Sequence, residues 1–272
     1  MELGRVGVWR RRQDGPGVLP ELEALGYSAF WIGSSPSVAQ ARPFLEASTT
    51  LTIATGILNV WQHEPADVAH AYAEVAHDFP GRFLLGIGIG HREATAEYSR
   101  PLARMGAFFD GLDRANPFVP RDGRIAAALG PKMLALAAER SLGTHTYFTI
   151  PAHTRHAREQ VGPDAIVAPE VAVVVETDAE SARRAAREYA ATYLRLHNYT
   201  SNLLRFGFTE RDIADGGSDR LIDAVIPHGS AEQIAEAVQA HFDAGANHVA
   251  LQPVGHGDVP VDDYRALAAA LL

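Results

Sequence analysis

The 272-residue sequence contains no cysteine. That absence excludes a disulfide framework, a thiolate nucleophile and every cysteine-based metal or iron–sulfur site. Lysine is nearly absent as well: Lys132 is the only one among 24 basic residues. Schiff-base chemistry therefore has a single candidate, and it falls in a stretch patterned as a helix rather than a strand. No run approaches the eighteen or so consecutive apolar residues of a membrane span, so no membrane partner is expected. The opening residues 1–5 lack the apolar core of a secretion signal, and a cytoplasmic protein is expected. Positive charge is also in deficit. A formal net charge of −9 argues against nucleic acid as a partner, because phosphate affinity comes from massed Lys and Arg. The short cluster Arg10-Arg11-Arg12 reads as a solvated loop.

What is present is alternation. Short apolar runs rich in β-branched and aromatic residues occupy 5–10, 29–34, 51–58, 83–89, 124–129, 144–149, 171–176 and 248–253. Amphipathic, alanine-rich stretches lie between them, at 18–25, 65–79, 131–140, 179–196 and 231–244 among others. Eight β-then-α units at this spacing predict parallel strands closed into a (β/α)8 TIM barrel, an α/β fold formed by residues 1–272 as a single domain. Local signals agree. Pro65 opens a helix whose Val68, Tyr72, Val75 and Phe79 would face the barrel, and Pro80-Gly81 stops it. Asp178 is placed to cap the next long helix, whose apolar face is Ala182, Ala185, Ala186 and Tyr189. Gly245 is placed to end another. Two stretches exceed a minimal barrel, 92–123 after strand 4 and 198–229 between strands 7 and 8; such insertions often cover the active site.

In a barrel of this kind chemistry sits where the strands end. Here those ends carry Trp9-Arg10, Gly33-Ser34-Ser35, Asn59-Val60-Trp61-Gln62-His63, Gly90-His91-Arg92, Gly130-Pro131-Lys132, Tyr147-Phe148-Thr149, Glu176 and Gln252-Pro253. Glu176 is the only strand-end carboxylate, too few for a magnesium or metallohydrolase site. No metal is expected. A mouth poor in acids and bases but lined with Trp, Gly, Asn and Tyr suits a large planar cofactor that brings its own reactivity. The run Gly86-Ile87-Gly88-Ile89-Gly90 does not match a dinucleotide fingerprint; its glycines admit either a neighbouring backbone or a ligand. Gly130 before a Pro-started helix offers free N–H groups to a phosphate, with Lys132 as added charge. His63 and His91 follow strands at the rim, where imidazole can handle a proton near neutral pH. His70 and His77 belong with Asp67 and Glu74 to an outward polar stripe, while His153 and His156 are expected at the surface.

Several segments together resemble the luciferase-like monooxygenase superfamily, and within it the actinobacterial branch of coenzyme F420-dependent oxidoreductases. They are Trp31-Ile32-Gly33, 54–61 (ATGILNVW), 80–88 (PGRFLLGIG) and 129–134 (LGPKML), with Asn198-Tyr199, Gly207-Phe208-Thr209-Glu210 and Ala244-Gly245-Ala246. The resemblance runs nearly end to end. It implies a flavin or deazaflavin at the rim, against a strand-3 bulge whose non-prolyl cis bond would be Gly56-Ile57 or Ile57-Leu58. It implies cofactor contacts from Ile89, Gly90 and His91, and from Leu129 and Gly130 near a phosphate. Gly56, Ile57, Asn59, Gly88 and Lys132 complete the expected cofactor site. Trp9, Ser34, Trp61 and Tyr147 are the expected substrate pocket. Some deazaflavin-dependent relatives carry an acidic residue and a histidine after strand 2 and a glutamate after strand 4. This chain has Gly33-Ser34-Ser35 and His91-Arg92 instead, so the proton is assigned to His91, His63 or Glu176. The expected activity is hydride transfer between F420 and a small organic substrate, in a homodimer. An FMN-dependent monooxygenase, or a non-catalytic flavin-binding protein, is the alternative.

Overall fold

A computed structural model describes residues 3–96, 98–255 and 258–272. Eight main strands form the barrel: β1 Val6–Arg11, β2 Ala29–Gly33, β3 Thr52–Thr55, β4 Phe83–Gly88, β5 Arg124–Ala127, β6 Gly143–His145, β7 Glu170–Val175 and β8 Val249–Pro253. Every pairing is parallel. Val8 lies beside Phe30, Phe30 beside Ile53, Ile53 beside Phe83, Gly86 beside Ile125 and Ala126 beside Thr144. Closure runs through Ile166–Val167, which pairs with β6 and leads into β7. Pro169 has no N–H for the ladder, but its neighbours keep the register: Ala168 and Glu170 donate to Thr144 and Thr146. β7 then pairs with β8, and β8 with β1.

The two faces of the sheet are filled differently. Outward-facing Val8, Phe30, Ile32, Ile53, Leu85, Val171 and Leu251 join the helices in the main core. Inside the barrel, Ala29, Ala54, Ala168 and Ala250 surround one large side chain, Trp31, which is fully buried. The small residues leave the space that the indole occupies, as interior packing at near-crystalline density requires. Trp31 stacks on His145 at 4.1 Å, and its Nε1 donates to His248 Nε2 at 3.0 Å.

Helices α1 Leu19–Ala24, α2 Arg42–Glu46, α3 Pro65–Asp78, α4 Pro101–Arg114, α5 Pro131–Arg140, α6 Pro151–Val161 and α7 Ala179–Tyr193 follow the strands in turn. Further along come α8 His197–Arg205, α9 Glu210–Ile213, α10 Asp219–Val225, α11 Ala231–Asp243 and α12 Val261–Leu271. The expected caps are present: Asp178 accepts from Ser181 N–H at 2.9 Å, and Gly245 follows α11 at φ +99°. Segment 92–123 holds α4, and 198–229 holds α8, α9 and α10. The last three build a second core around Tyr199, Leu203, Phe208, Leu221 and Ile222, beside the mouth.

Some expectations need correction. The third strand stops at Thr55, and a separate piece, Leu58–Asn59, pairs with β4 beyond the break. The sixth ends at His145, not Thr149, and beyond it Phe148 takes φ +55°, which no extended strand could continue through. Arg10 and Arg11 lie in β1 rather than in a loop, and Arg10 is largely buried, pairing with Asp14 at 2.8 Å. His153 is not at the surface. It is fully buried under α6, donates from Nε2 to Leu129 O at 3.0 Å, and is held near a pKa of about 4, first by desolvation.

Candidate active site

The C-terminal ends of the strands surround a cavity of about 470 Å³. Its back wall is the break after β3. The peptide bond Gly56-Ile57 is cis, at one of the two positions the resemblance implied. It turns Ile57 toward Gly88 on β4, where a Cβ would lie 2.6 Å from Ile57 Cδ1. The glycine is what leaves room for Ile57 in the cavity wall. Beyond it the chain re-enters the sheet through Leu58–Asn59, and Asn59 Oδ1 accepts from Trp61 N–H at 3.1 Å.

The other walls come from separate elements. Ile89, Gly90 and His91 leave β4, Ala127–Gly130 leave β5, and Tyr147 follows β6. Asn198 and Tyr199 reach in from α8. His91 Nδ1 donates to Asn198 Oδ1 at 3.1 Å and its ring packs 5.3 Å from Tyr199, so Nε2 keeps a free lone pair when the ring is neutral. At the far end α5 starts at Gly130 with no side-chain cap. Space in front of Gly130 is open: a Cβ there would meet only Arg205 Nη1, at 4.0 Å. An uncapped helix start with a guanidinium beside it is a site for an anion.

Twelve of the residues singled out from sequence therefore line one cavity: Trp9, Ser34, Gly56, Ile57, Asn59, Gly88, Ile89, Gly90, His91, Leu129, Gly130 and Tyr147. Four do not line it. Trp61 packs behind the wall, its Nε1 donating to Ile89 O at 2.8 Å. Lys132 is exposed on the first turn of α5. His63 sits half-buried ahead of α3, where burial lowers its pKa. Glu176 is exposed past β7 and accepts from Asp178 N–H at 2.8 Å. Among the described residues no group of three or more His, Asp or Glu side chains is placed to hold a metal ion.

Sequence reasoning assigned no role to His145, Tyr193, Tyr199, Asn198 or Arg205. Tyr189 and Tyr193 are four apart on α7 and share a helical face, which was a usable signal. Arg205 meets Gly130 only through the folding of α8, and no local pattern announces that.

Comparison with known proteins places this geometry. Residues 17–115 match the luciferase-like monooxygenase family model. The chain also superposes on solved structures over nearly its whole length. An F420-dependent secondary alcohol dehydrogenase in complex with an F420–acetone adduct is 16% identical with a TM-score of 0.74, covering 100% of this chain and 98% of the other. Coenzyme F420-dependent tetrahydromethanopterin reductase from Methanopyrus kandleri is 13% identical with a TM-score of 0.71, covering 100% and 99%. EDTA monooxygenase from Chelativorans sp. BNC1 is 13% identical with a TM-score of 0.70, covering 98% and 93%. No curated protein matches the chain by sequence. The barrel fold is thus shared with F420-dependent enzymes and with a monooxygenase, and residues 17–115 carry the luciferase-like match.

Proposed function

We propose that this protein is an oxidoreductase that binds coenzyme F420 and moves a hydride between it and a small organic substrate. The observation that carries the reading is the cavity itself. Its back wall is the Gly56-Ile57 bulge, backed by the bare backbone of Gly88. The charged groups it presents are few, and its anion-binding corner at Gly130 and Arg205 lies at one end. Such a shape fits a tricyclic ring with a phosphate-bearing tail. Gly56, Ile57, Asn59, Gly88, Ile89 and Gly90 would hold the ring, Leu129 and Gly130 the tail, with Lys132 adding long-range charge. When bound, the deazaflavin supplies two-electron hydride chemistry with carbon at the reactive ring position.

The chain's own residues do the rest. His91, oriented by Asn198, presents Nε2 as the group that takes or returns the proton accompanying hydride transfer. Trp9, Ser34 and Tyr147 wall the substrate side and exclude water. Trp61, behind the wall, fixes Ile89 rather than touching substrate. His63 and Glu176 remain secondary candidates, since both would have to move to reach the cavity. The other chemistry open to this fold is oxygen activation on FMN.

Titration of the purified protein with oxidised F420 and, separately, with FMN decides between them. Quenching of intrinsic tryptophan fluorescence is expected to saturate with F420 at lower concentration than with FMN. Tight binding of FMN alone would overturn the reading. His91→Ala should leave F420 affinity within a few-fold and lower turnover by about 10²-fold or more.

A further inference from the structure

A second cavity, of about 420 Å³, opens on the rim beside the first. Its walls include Arg10, Arg11, Asp14, Glu188, Tyr189 and Gln252. Trp9 lines both cavities. The rest of the partition is a cluster of hydroxyls. Tyr147 Oη lies 2.7 Å from Tyr189 Oη and 2.8 Å from Tyr193 Oη, and it donates to Gln252 Oε1 at 2.9 Å. Tyr189 Oη also reaches Gln252 Oε1, at 3.1 Å. Tyr147 and Tyr193 face the larger cavity, Tyr189 and Gln252 the smaller.

Beneath the cluster lies an acid. Glu170, the first residue of β7, is 1% exposed. Its Oε2 accepts from Phe148 N–H at 3.3 Å, while Oε1 has no partner at hydrogen-bonding distance. The Tyr189 hydroxyl stands beside the carboxyl, close enough to stabilise its charge. Tyr147, Tyr193 and Tyr199 are the other titratable groups facing it, and no cation is among the groups that set its charge. A buried carboxyl without a counter-ion keeps its proton. Tyr189 is the nearest hydroxyl of the cluster to this carboxyl, and a proton on Oε1 would reach it by a turn of the carboxyl, since the two are not hydrogen-bonded at rest.

We propose that Glu170, Tyr189 and Tyr147 form a proton path that joins the two cavities and ends on the Tyr147–Tyr193 hydroxyls in the wall of the larger one. Its purpose rests on the hydride-transfer reading above, in which a reduced deazaflavin is the hydride source. A substrate oxygen that gains negative charge against this wall of the larger cavity, away from His91, takes the Tyr147 or Tyr193 proton. The vacated oxygen takes the Tyr189 proton, and Tyr189 takes the carboxyl proton of Glu170. One O–H bond forms for each that breaks. Glu170 is left as carboxylate and is reprotonated through Tyr189 from the smaller, polar cavity. The reverse sequence serves substrate oxidation. Tyr147 and Tyr193 are the terminal donors; Tyr189 and Glu170 act through them.

The path can be tested on the cofactor-free protein by infrared spectroscopy. At neutral pH the wild type is expected to show the C=O stretch of one buried protonated carboxyl, absent in Glu170→Gln. Transferred to D2O, that band should shift while the amide protons of β7 are still protected, because exchange through hydroxyls needs no opening of the strand. Tyr189→Phe, which keeps the ring, should slow the shift by roughly 10²-fold. A missing band at neutral pH, or exchange that only follows the β7 amides, overturns the path without any variant. An unchanged rate in a folded Tyr189→Phe also overturns it. None of these readings depends on which cofactor binds, so the path and the F420 reading fail separately.

Discussion

At the residue scale, Gly86 and Gly88 on β4 separate two jobs that one glycine-rich strand performs. A Cβ on Gly86 would overlap the carbonyl oxygen of Thr55 on the adjacent strand, so nothing larger fits while β3 stays in place. A Cβ on Gly88 would press on the end of the Ile57 side chain, at 2.6 Å, and on Ala127 Cβ at 3.2 Å. Backbone cannot yield as a side-chain tip can. Gly86→Ala should therefore cost about 3 kcal/mol of stability and Gly88→Ala about 1 kcal/mol, read from urea midpoints. Gly88→Ala should instead push Ile57 into the cavity and weaken F420 binding about tenfold, equivalent to ~1.4 kcal/mol. Equal losses of stability in the two variants would defeat this division.

The same strand shows how far the sequence could be read. Alternating Gly and Ile on a barrel strand said that something approaches the glycines closely. It did not say that one would meet backbone and the other a bulge. Rim residues that directly follow a strand, such as His91, Gly130 and Tyr147, were legible because strand ends converge by construction. His63, Glu176 and Lys132 also follow strands, yet the chain turns away before their side chains can point inward. Glu170 stayed hidden, since a carboxylate at the start of a valine run reads as an edge and not as the interior. His153 was misread because its burial depends on α6 lying over the loop after β5, a tertiary fact with no local sign. Arg124 gave no warning either. It is 2% exposed and spans Asp113 Oδ1 at 2.6 Å, Arg140 O at 2.8 Å and Val119 O at 3.2 Å.

At the scale of elements, the barrel and the α8–α10 segment are packed by different cores. The strands and outer helices share one cluster, whereas Leu203, Leu221, Ile222 and Val225 belong to another that also takes in Tyr199. Asn198, Tyr199 and Arg205 all ride on α8, so the second cluster positions one wall of the cavity and its cationic corner. Local stability of this kind can be lost without unfolding the whole. Leu203→Ala removes a side chain that is 1% exposed, a change that costs about 2–5 kcal/mol in a packed core. Amide exchange is expected to quicken in α8 and α10 while β1 to β5 stay protected. F420 affinity should fall with it. Uniform loss of protection across the barrel would show that the two clusters unfold as one.

At the scale of the whole molecule, buried titratable groups set how stability depends on pH. His145, His153, His241 and His248 are all held near a pKa of about 4, with desolvation the largest cause in each, against an ordinary value of 6.5. Folded, they stay neutral where the unfolded chain takes up protons. Each therefore contributes stability that is complete above pH 6.5 and drains away as pH falls toward 4. Glu170 works the other way. Burial raises its carboxyl from 4.5 to about 8, so its contribution is complete below 4.5 and is lost as pH rises toward 8. Between pH 4.5 and 6.5 the four histidines outweigh the one carboxyl, and unfolding should take up about three protons net. The two effects cancel near pH 7, where the unfolded histidines have lost most of their protons, and from there to pH 8 the carboxyl prevails and unfolding should release about half a proton. Urea midpoints measured across this range are expected to climb steeply to near pH 7 and then decline gently. Glu170→Gln should flatten the upper limb and leave the acid limb in place, because an amide has no proton to lose while the histidines remain as deeply buried as before.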